Sequence, residues 1–180
     1  MIPLPEPKAN VLARRDAIVA GLRALLPESG VIAEELLLKP YETDGLAAYR
    51  QPPLAVVLPE TTEQVAAVMA FCHRNGVRVI PRGAGTSLSG GALPLAEAVV
   101  IGLMRMHRIL EINYADRYAV VQAGVTNIGI TQAVEGEGFF YAPDPSSQLA
   151  CMIGGNVGMN SGGAHCLKYG VTTNNLLGLK

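Results

Sequence analysis

The chain is short of charge, and what charge it has is spread out. Only 16% of its 180 residues are charged, the formal net charge is −1, and no basic cluster or stripe occurs. That excludes the electrostatic footprint of a nucleic-acid-binding surface. Long apolar runs are missing too. The greasiest stretch, ALPLAEAVVIGLM (92–104), is broken by Pro94 and Glu97, well short of the roughly 18 residues that cross a bilayer. The first residues, MIPLPEPKAN, lack a basic segment followed by an apolar one, so no secretory signal is expected. Cysteine is scarce: Cys72, Cys151 and Cys166 are odd in number and have no CxxC spacing. A disulfide framework is therefore not expected, and reduced thiols in a cytoplasmic protein are. No metal site is expected either. His73, His107 and His165 form no ligand set, and neighbours such as Cys72 and His73 point about 100° apart on a helix.

One value runs the other way. A mean hydropathy of +0.28 is high for so few charges and implies surface that something else covers. The chain ends NNLLGLK, where an apolar run reads as the start of a strand. The expectation is that the chain is incomplete and that, alone, it holds its ligand weakly and self-associates.

The pattern predicts a helix over 11–26, carrying Val11, Leu12, Ile18, Val19, Leu22, Leu25 and Leu26 and stopped by Pro27 and Gly30. A loop-rich lead-in follows over 38–53. LAVVLP (54–59) reads as a buried strand. The next helix has a capping box of Thr61 and Gln64, an apolar face of Val65, Val68, Met69 and Cys72, and a Gly76 cap. With VRVI (77–80) as a second strand, 54–80 form a βαβ unit with a parallel pair. AVVIGL (98–103) is a third strand. ILEIN and YAVVQAG flank a hairpin turn at Tyr114–Arg117, and Thr126 or Asn127 caps a short helix reaching about Glu135. Residues 142–170 hold six glycines and two prolines without sustained periodicity, as in functional or disordered segments.

The stretch PRGAGTSLSGG (81–91) leaves the second strand at its carboxyl end, where α/β sheets bind ligands. It contains no lysine, which excludes a Walker A loop, and Leu88 stands where a dinucleotide fingerprint needs glycine. What remains is its backbone. Successive N–H groups in turn conformations make an anion-binding nest, and Thr86, Ser87 and Ser89 add hydroxyls. Taken alone, the stretch fits a strained turn of small residues equally well. A second glycine-rich patch, Gly154-Gly155-Asn156 and Asn160-Ser161-Gly162-Gly163, lets a planar or phosphorylated ligand approach the backbone. Arg82 is either a phosphate ligand or a brace through backbone carbonyls. Asp144, between two prolines, reads as a turn former. Lys168 and Tyr169 sit near the second patch, at a ligand or at its rim.

PRGAGTSLSGG, AGVT, YAPDPSS and IGGNVGMNSGGAHCLKYG, in that order, resemble the flavin-binding (PCMH-type) domain of the vanillyl-alcohol-oxidase superfamily. Within it, the similarity is to the FAD subunit of bacterial glycolate oxidase and to the D-2-hydroxyacid (D-lactate) dehydrogenases. It covers roughly residues 40–180. The resemblance implies an α+β, two-lobed domain: a small parallel βαβ lobe and a second lobe with a mixed or antiparallel sheet, truncated here. Residues 1–45 would be a helical lead-in and 46–180 the FAD-binding domain, its last part and the substrate cap absent. It further implies that the backbone of Arg82, Gly83, Ala84, Gly85 and Thr86, with the Ser87 hydroxyl, cradles the FAD pyrophosphate. Pro143, Asp144, Ser147, Gly154, Gly155 and Asn156 would line the flavin or the far side of the diphosphate, and Ser161, Gly162 and Gly163 would continue that wall. Relatives that bond FAD covalently here carry histidine in an R-x-G-G-H pattern; Thr86 takes that place, which implies non-covalent FAD.

The implied activity is oxidation of a small D-2-hydroxy acid, glycolate or D-lactate, to the 2-oxo acid. The catalytic residues would lie outside this chain. The implied partners are other oxidase subunits, iron–sulfur or a second flavin subunit, with any peripheral membrane association through them alone. Another FAD-linked oxidase of the superfamily and a non-catalytic nucleotide-binding module stay open as alternatives.

Overall fold

The computed structural model describes residues 4–180, which divide into two compact units, 4–105 and 106–180. The first unit begins with two short helices, α1 (Ala9–Leu12) and α2 (Arg15–Arg23), rather than the single helix expected over 11–26. The break falls where the Arg14 N–H bonds to the Val11 carbonyl, 3.0 Å away and only three residues back. The Arg14 guanidinium meanwhile reaches the Asn75 carbonyl at 2.9 Å. Both helices still bury one stripe, Val11, Ile18, Val19 and Leu22.

Strand β1 (Val31–Ile32) and helix α3 (Glu35–Leu38) lead to β2 (Ala55–Val57). Helix α4 (Thr62–Arg74) starts on the predicted cap: Thr61 Oγ1 accepts from Gln64 N at 3.2 Å. The Gln64 side chain returns the contact one residue early, accepting from Glu60 N at 2.7 Å. Gly76 closes the helix at φ +66°. Val68 and Cys72 face the core as expected, but Met69 is exposed, and the partly buried Phe71 packs inward instead.

Strands β3 (Arg78–Arg82) and β4 (Ala98–Gly102) complete a sheet ordered β1-β2-β4-β3. The βαβ unit therefore holds parallel strands, but β2 and β3 are not a hydrogen-bonded pair, because β4 lies between them, parallel to both. Every residue of β4 is buried, so its apolar run is satisfied only at the centre of a sheet covered on both faces. Alternation sorts those faces. Ala55, Val57, Val99 and Ile101 meet the α1, α2 and α4 side, while Val56 and Val100 meet Leu38 and Leu58. Residues before 45, among them Val11, Ile18, Leu22 and Val31, belong to this same core.

The second unit opens with the predicted hairpin. Strands β5 (Ile109–Asn113) and β6 (Tyr118–Val121) pair antiparallel, and Arg117 takes φ +57° in the turn. Helix α5 (Asn127–Val134) is capped by Thr126 Oγ1, which accepts from Gly129 N at 3.2 Å, and is followed by a 3-10 turn, Glu135–Glu137, closed by Gly138 at φ +78°. The glycine-rich segment is ordered beyond expectation, since it forms α6 (Ile153–Met159) and α7 (Cys166–Tyr169). Residues 172–175 make a single 3-10 turn, and the strand expected at NNLLGLK is not formed. Among the described residues no helix is long and apolar enough to cross a membrane, and no group of side chains could hold a metal ion.

Candidate functional site

In the first unit the site residues begin where the β3–β4 ladder stops. The Arg82 carbonyl accepts from Leu103 N at 2.9 Å. Beyond it, the amides of Gly83, Ala84, Gly85, Thr86, Ser87 and Leu88 donate to no acceptor among the described residues. All six residues are partly or fully exposed. Gly85 and Gly90 both sit at φ +73°, a conformation glycine adopts freely. Ser87 Oγ accepts from Ser89 N at 3.2 Å, which leaves its proton to donate outward. The result is a row of donors with no protein acceptor, which the sequence had suggested as a nest.

Arg82 points the other way. Its side chain is buried beneath the loop and donates to the carbonyls of Thr43 (2.7 Å), Ala92 (3.4 Å) and Pro40 (3.4 Å), with its guanidinium 5.7 Å from the centre of the Tyr41 ring. Burial pulls its pKa below the ordinary arginine value, against the opposing pull of Asp44 and Tyr41. Of the two expected roles, Arg82 fills the bracing one. Asp44 and Gly45 were not singled out in the sequence, although their Asp-Gly pair is a turn signal. Asp44 is buried, its Oδ1 accepts from Leu46 N at 2.9 Å, and its Oδ2 accepts from Ala92 N at 3.2 Å. A Cβ on Gly45 would lie 2.7 Å from the Ser87 carbonyl oxygen. The glycine loop thus rests directly on the 44–45 main chain.

In the second unit, Asn127 organises the first of the expected residues. It is fully buried, its Nδ2 donates to the Pro143 carbonyl and its N–H to the Cys151 carbonyl, both at 3.0 Å. Ser147 accepts through its carbonyl from Ala150 N and Cys151 N, which commits that carbonyl to the turn before α6. Gly154 donates to Ala123 O at 2.8 Å, and a Cβ there would come within 2.9 Å of the Ala123 methyl. Its missing side chain therefore serves packing, and its amide is not open to a ligand. Gly155 is different: its amide has no partner, and a Cβ would meet nothing within 4 Å. The side-chain Nδ2 of buried Asn156 has no hydrogen-bond partner, an orphaned donor of the kind a bound acceptor satisfies.

Ser161 spends both backbone groups, its N–H on Asn156 O and its carbonyl on Thr172 N and Oγ1. Gly162 keeps its amide free, but a Cβ would overlap Cys166 Sγ and crowd Val171. Gly163 donates to Cys166 Sγ at 2.8 Å, and a Cβ there would overlap the main chain and carboxylate of Asp144. Asp144 is more than a turn former. Its Oδ2 lies 2.5 Å from His165 Nδ1, its Oδ1 accepts from His165 N at 3.3 Å, and the histidine contact holds its carboxyl below the usual carboxylate range. Lys168 Nζ lies 4.9 Å from the centre of the Tyr169 ring, beside these turns.

Each unit therefore presents open N–H donors on glycine-bearing turns. In the first unit, the row from Gly83 to Leu88 suits an acceptor-rich anion such as a dinucleotide diphosphate.

Comparison with known proteins agrees. The model of the FAD binding domain matches residues 53–180. Glycolate oxidase subunit GlcD of Escherichia coli K12 is 53% identical over 91% of this chain and 33% of its own length. D-2-hydroxyglutarate dehydrogenase of Stutzerimonas stutzeri is 34% identical over 91% of the chain and 35% of its own. The chain thus spans about a third of the length of these curated relatives. A solved alkyldihydroxyacetonephosphate synthase superposes over 95% of the chain, and 32% of its own, with a TM-score of 0.78 at 21% identity, a likeness of fold. On the match across both units, the chain belongs to the FAD binding domain family.

Proposed function

We propose that this chain is the FAD-binding part of a flavin-dependent oxidoreductase that converts a small D-2-hydroxy acid, glycolate or D-lactate, to the 2-oxo acid. The observation that carries the reading is the row of unpaired amides from Gly83 to Leu88 at the carboxyl end of β3. Backbone donors fixed in place before binding lose little freedom when a dianionic diphosphate arrives. The names of the relatives, glycolate oxidase subunit and D-2-hydroxyglutarate dehydrogenase, support the substrate class.

In this reading Gly83, Ala84, Gly85 and Thr86, with the Ser87 hydroxyl, hold the diphosphate, and Arg82 holds the loop. Asn156 Nδ2 and the amides of Gly155 and Gly162 supply donors toward the flavin side. Pro143, Asp144, Ser147, Gly154, Ser161 and Gly163 shape the turns that carry them. Bound FAD supplies the two-electron acceptor that no protein side chain provides. With Thr86 at the linking position, the cofactor is held without a covalent bond. The domain runs over 46–180 and acts in the cytoplasm, in complex with other oxidase subunits through which any membrane association arises.

Titration of the chain with FAD, followed by flavin fluorescence and thermal stabilisation, tests the proposal. Binding is expected, with a loss of tenfold or more in Gly83→Asp, where a carboxylate would face the diphosphate at a cost of at least about 1.4 kcal/mol. Stabilisation by ATP but not by FAD would refute it.

A further inference from the structure

We propose that His165 is a positioning residue for the FAD-binding site, clamping the Asp144 turn onto the Gly162–Gly163 turn before the cofactor arrives. The inference rests on the reading of this chain as FAD-binding.

Three contacts join the two turns, which lie 21 residues apart in sequence. The Asp144 carboxylate is gripped at both oxygens by one residue, Oδ2 by the His165 ring Nδ1 and Oδ1 by the His165 backbone N–H. Gly163 lies against the Asp144 main chain so closely that no side chain fits between them. The Gly163 N–H is turned onto Cys166 Sγ at 2.8 Å, while the Gly162 amide stays open.

An exposed Asp–His pair is ordinarily worth little. Here its surroundings give it leverage. No β-ladder holds these two turns, and the helices nearby are the seven residues of α6 and the four of α7. Holding glycine-bearing backbone in one conformation costs conformational entropy. Without a cross-link that cost falls on the binding step, and a clamp moves it to folding. The ring is also oriented: with Nδ1 on Asp144, Nε2 has no partner among the described residues. Tyr169, 6.4 Å away between ring centres, Lys168 over the Tyr169 ring, and the adjacent Cys166 are ionisable neighbours.

The clamp makes a position-specific prediction. An asparagine at 165 places its amide N–H near the Nδ1 position, and a glutamine reaches past it. FAD affinity of the full 180-residue chain is expected to fall roughly tenfold in His165→Ala, to return to within about threefold in His165→Asn, and to stay low in His165→Gln, as expected for lost and regained pre-organisation. The urea midpoint should move by no more than the small contribution of an exposed pair. Hydrogen exchange at the Gly162 and Ala164 amides, measured without FAD, should quicken in His165→Ala and slow again in His165→Asn. Wild-type affinity in His165→Ala, or equal behaviour of the Asn and Gln variants, overturns the clamp alone. Failure of the wild-type chain to bind FAD overturns the underlying reading and the clamp with it.

Discussion

Gly85→Ala separates backbone strain from a specific collision. Gly85 sits at φ +73°, where a side chain costs about 1–2 kcal/mol. The added methyl would also overlap the Arg82 guanidinium. Moving that group breaks its bonds to the Thr43 and Pro40 carbonyls beneath the loop, and hydrogen bonds of a charged donor are worth about 1.5–3 kcal/mol. Together these predict a loss of about 4 kcal/mol, roughly a thousandfold in the folding equilibrium. Gly76→Ala is the control in the same unit, with a similar φ of +66° but no atom within 4 Å of the new methyl. It should cost only the strain, about 1–2 kcal/mol. Urea unfolding of both variants gives the difference, expected at about 2–3 kcal/mol. Flavin titration of Gly85→Ala should show weakened binding as well. Equal losses, within about 0.5 kcal/mol, would show that the missing side chain of Gly85 does not make room for Arg82.

Acid precipitation of the FAD-loaded chain should release the flavin into the supernatant, because Thr86 cannot form a histidyl link; fluorescence that stays with the denatured polypeptide would contradict this. A thiol reagent near pH 8 should modify the half-exposed Cys166 in the native chain, with Cys72 and Cys151 reacting only after denaturation. Burial pushes the Cys72 thiol up to about 11, so little thiolate forms there; rapid native labelling at Cys72 would refute the packing of α4. The carboxyl of Asp144 is held below its ordinary value by His165. Below that ordinary value the unfolded chain takes up the proton first, so the contribution of Asp144 is present above it and is lost as pH falls through the depressed native value. Asp144→Asn should flatten that part of the acid limb of the stability curve, and an unchanged limb would refute the pairing.

Local chemistry was legible in the sequence. The caps at Thr61 and Thr126, the stop at Gly76 and the turn between β5 and β6 follow from residues that interact within a few positions of one another. The glycine loop after β3 was equally plain, since a strand running into small residues without a lysine leaves only backbone donors to offer. Contacts between distant segments were not legible. Nothing near Ala98–Gly102 says that this strand inserts between β2 and β3; burial of both its faces decides that. Arg82 reads as a phosphate ligand or a brace until the carbonyls of Pro40 and Thr43 are seen beneath it. Gly154, Gly162 and Gly163 read as ligand approaches; only the fold shows that a side chain at each would collide with Ala123, Cys166 or Asp144. The sequence by itself thus determined where backbone donors are exposed and which segments turn, because those depend on φ preferences and near neighbours. Only the tertiary structure decided which glycines face protein, which way Arg82 points, and that Asp144 belongs to His165, because each depends on what packs against it from far along the chain.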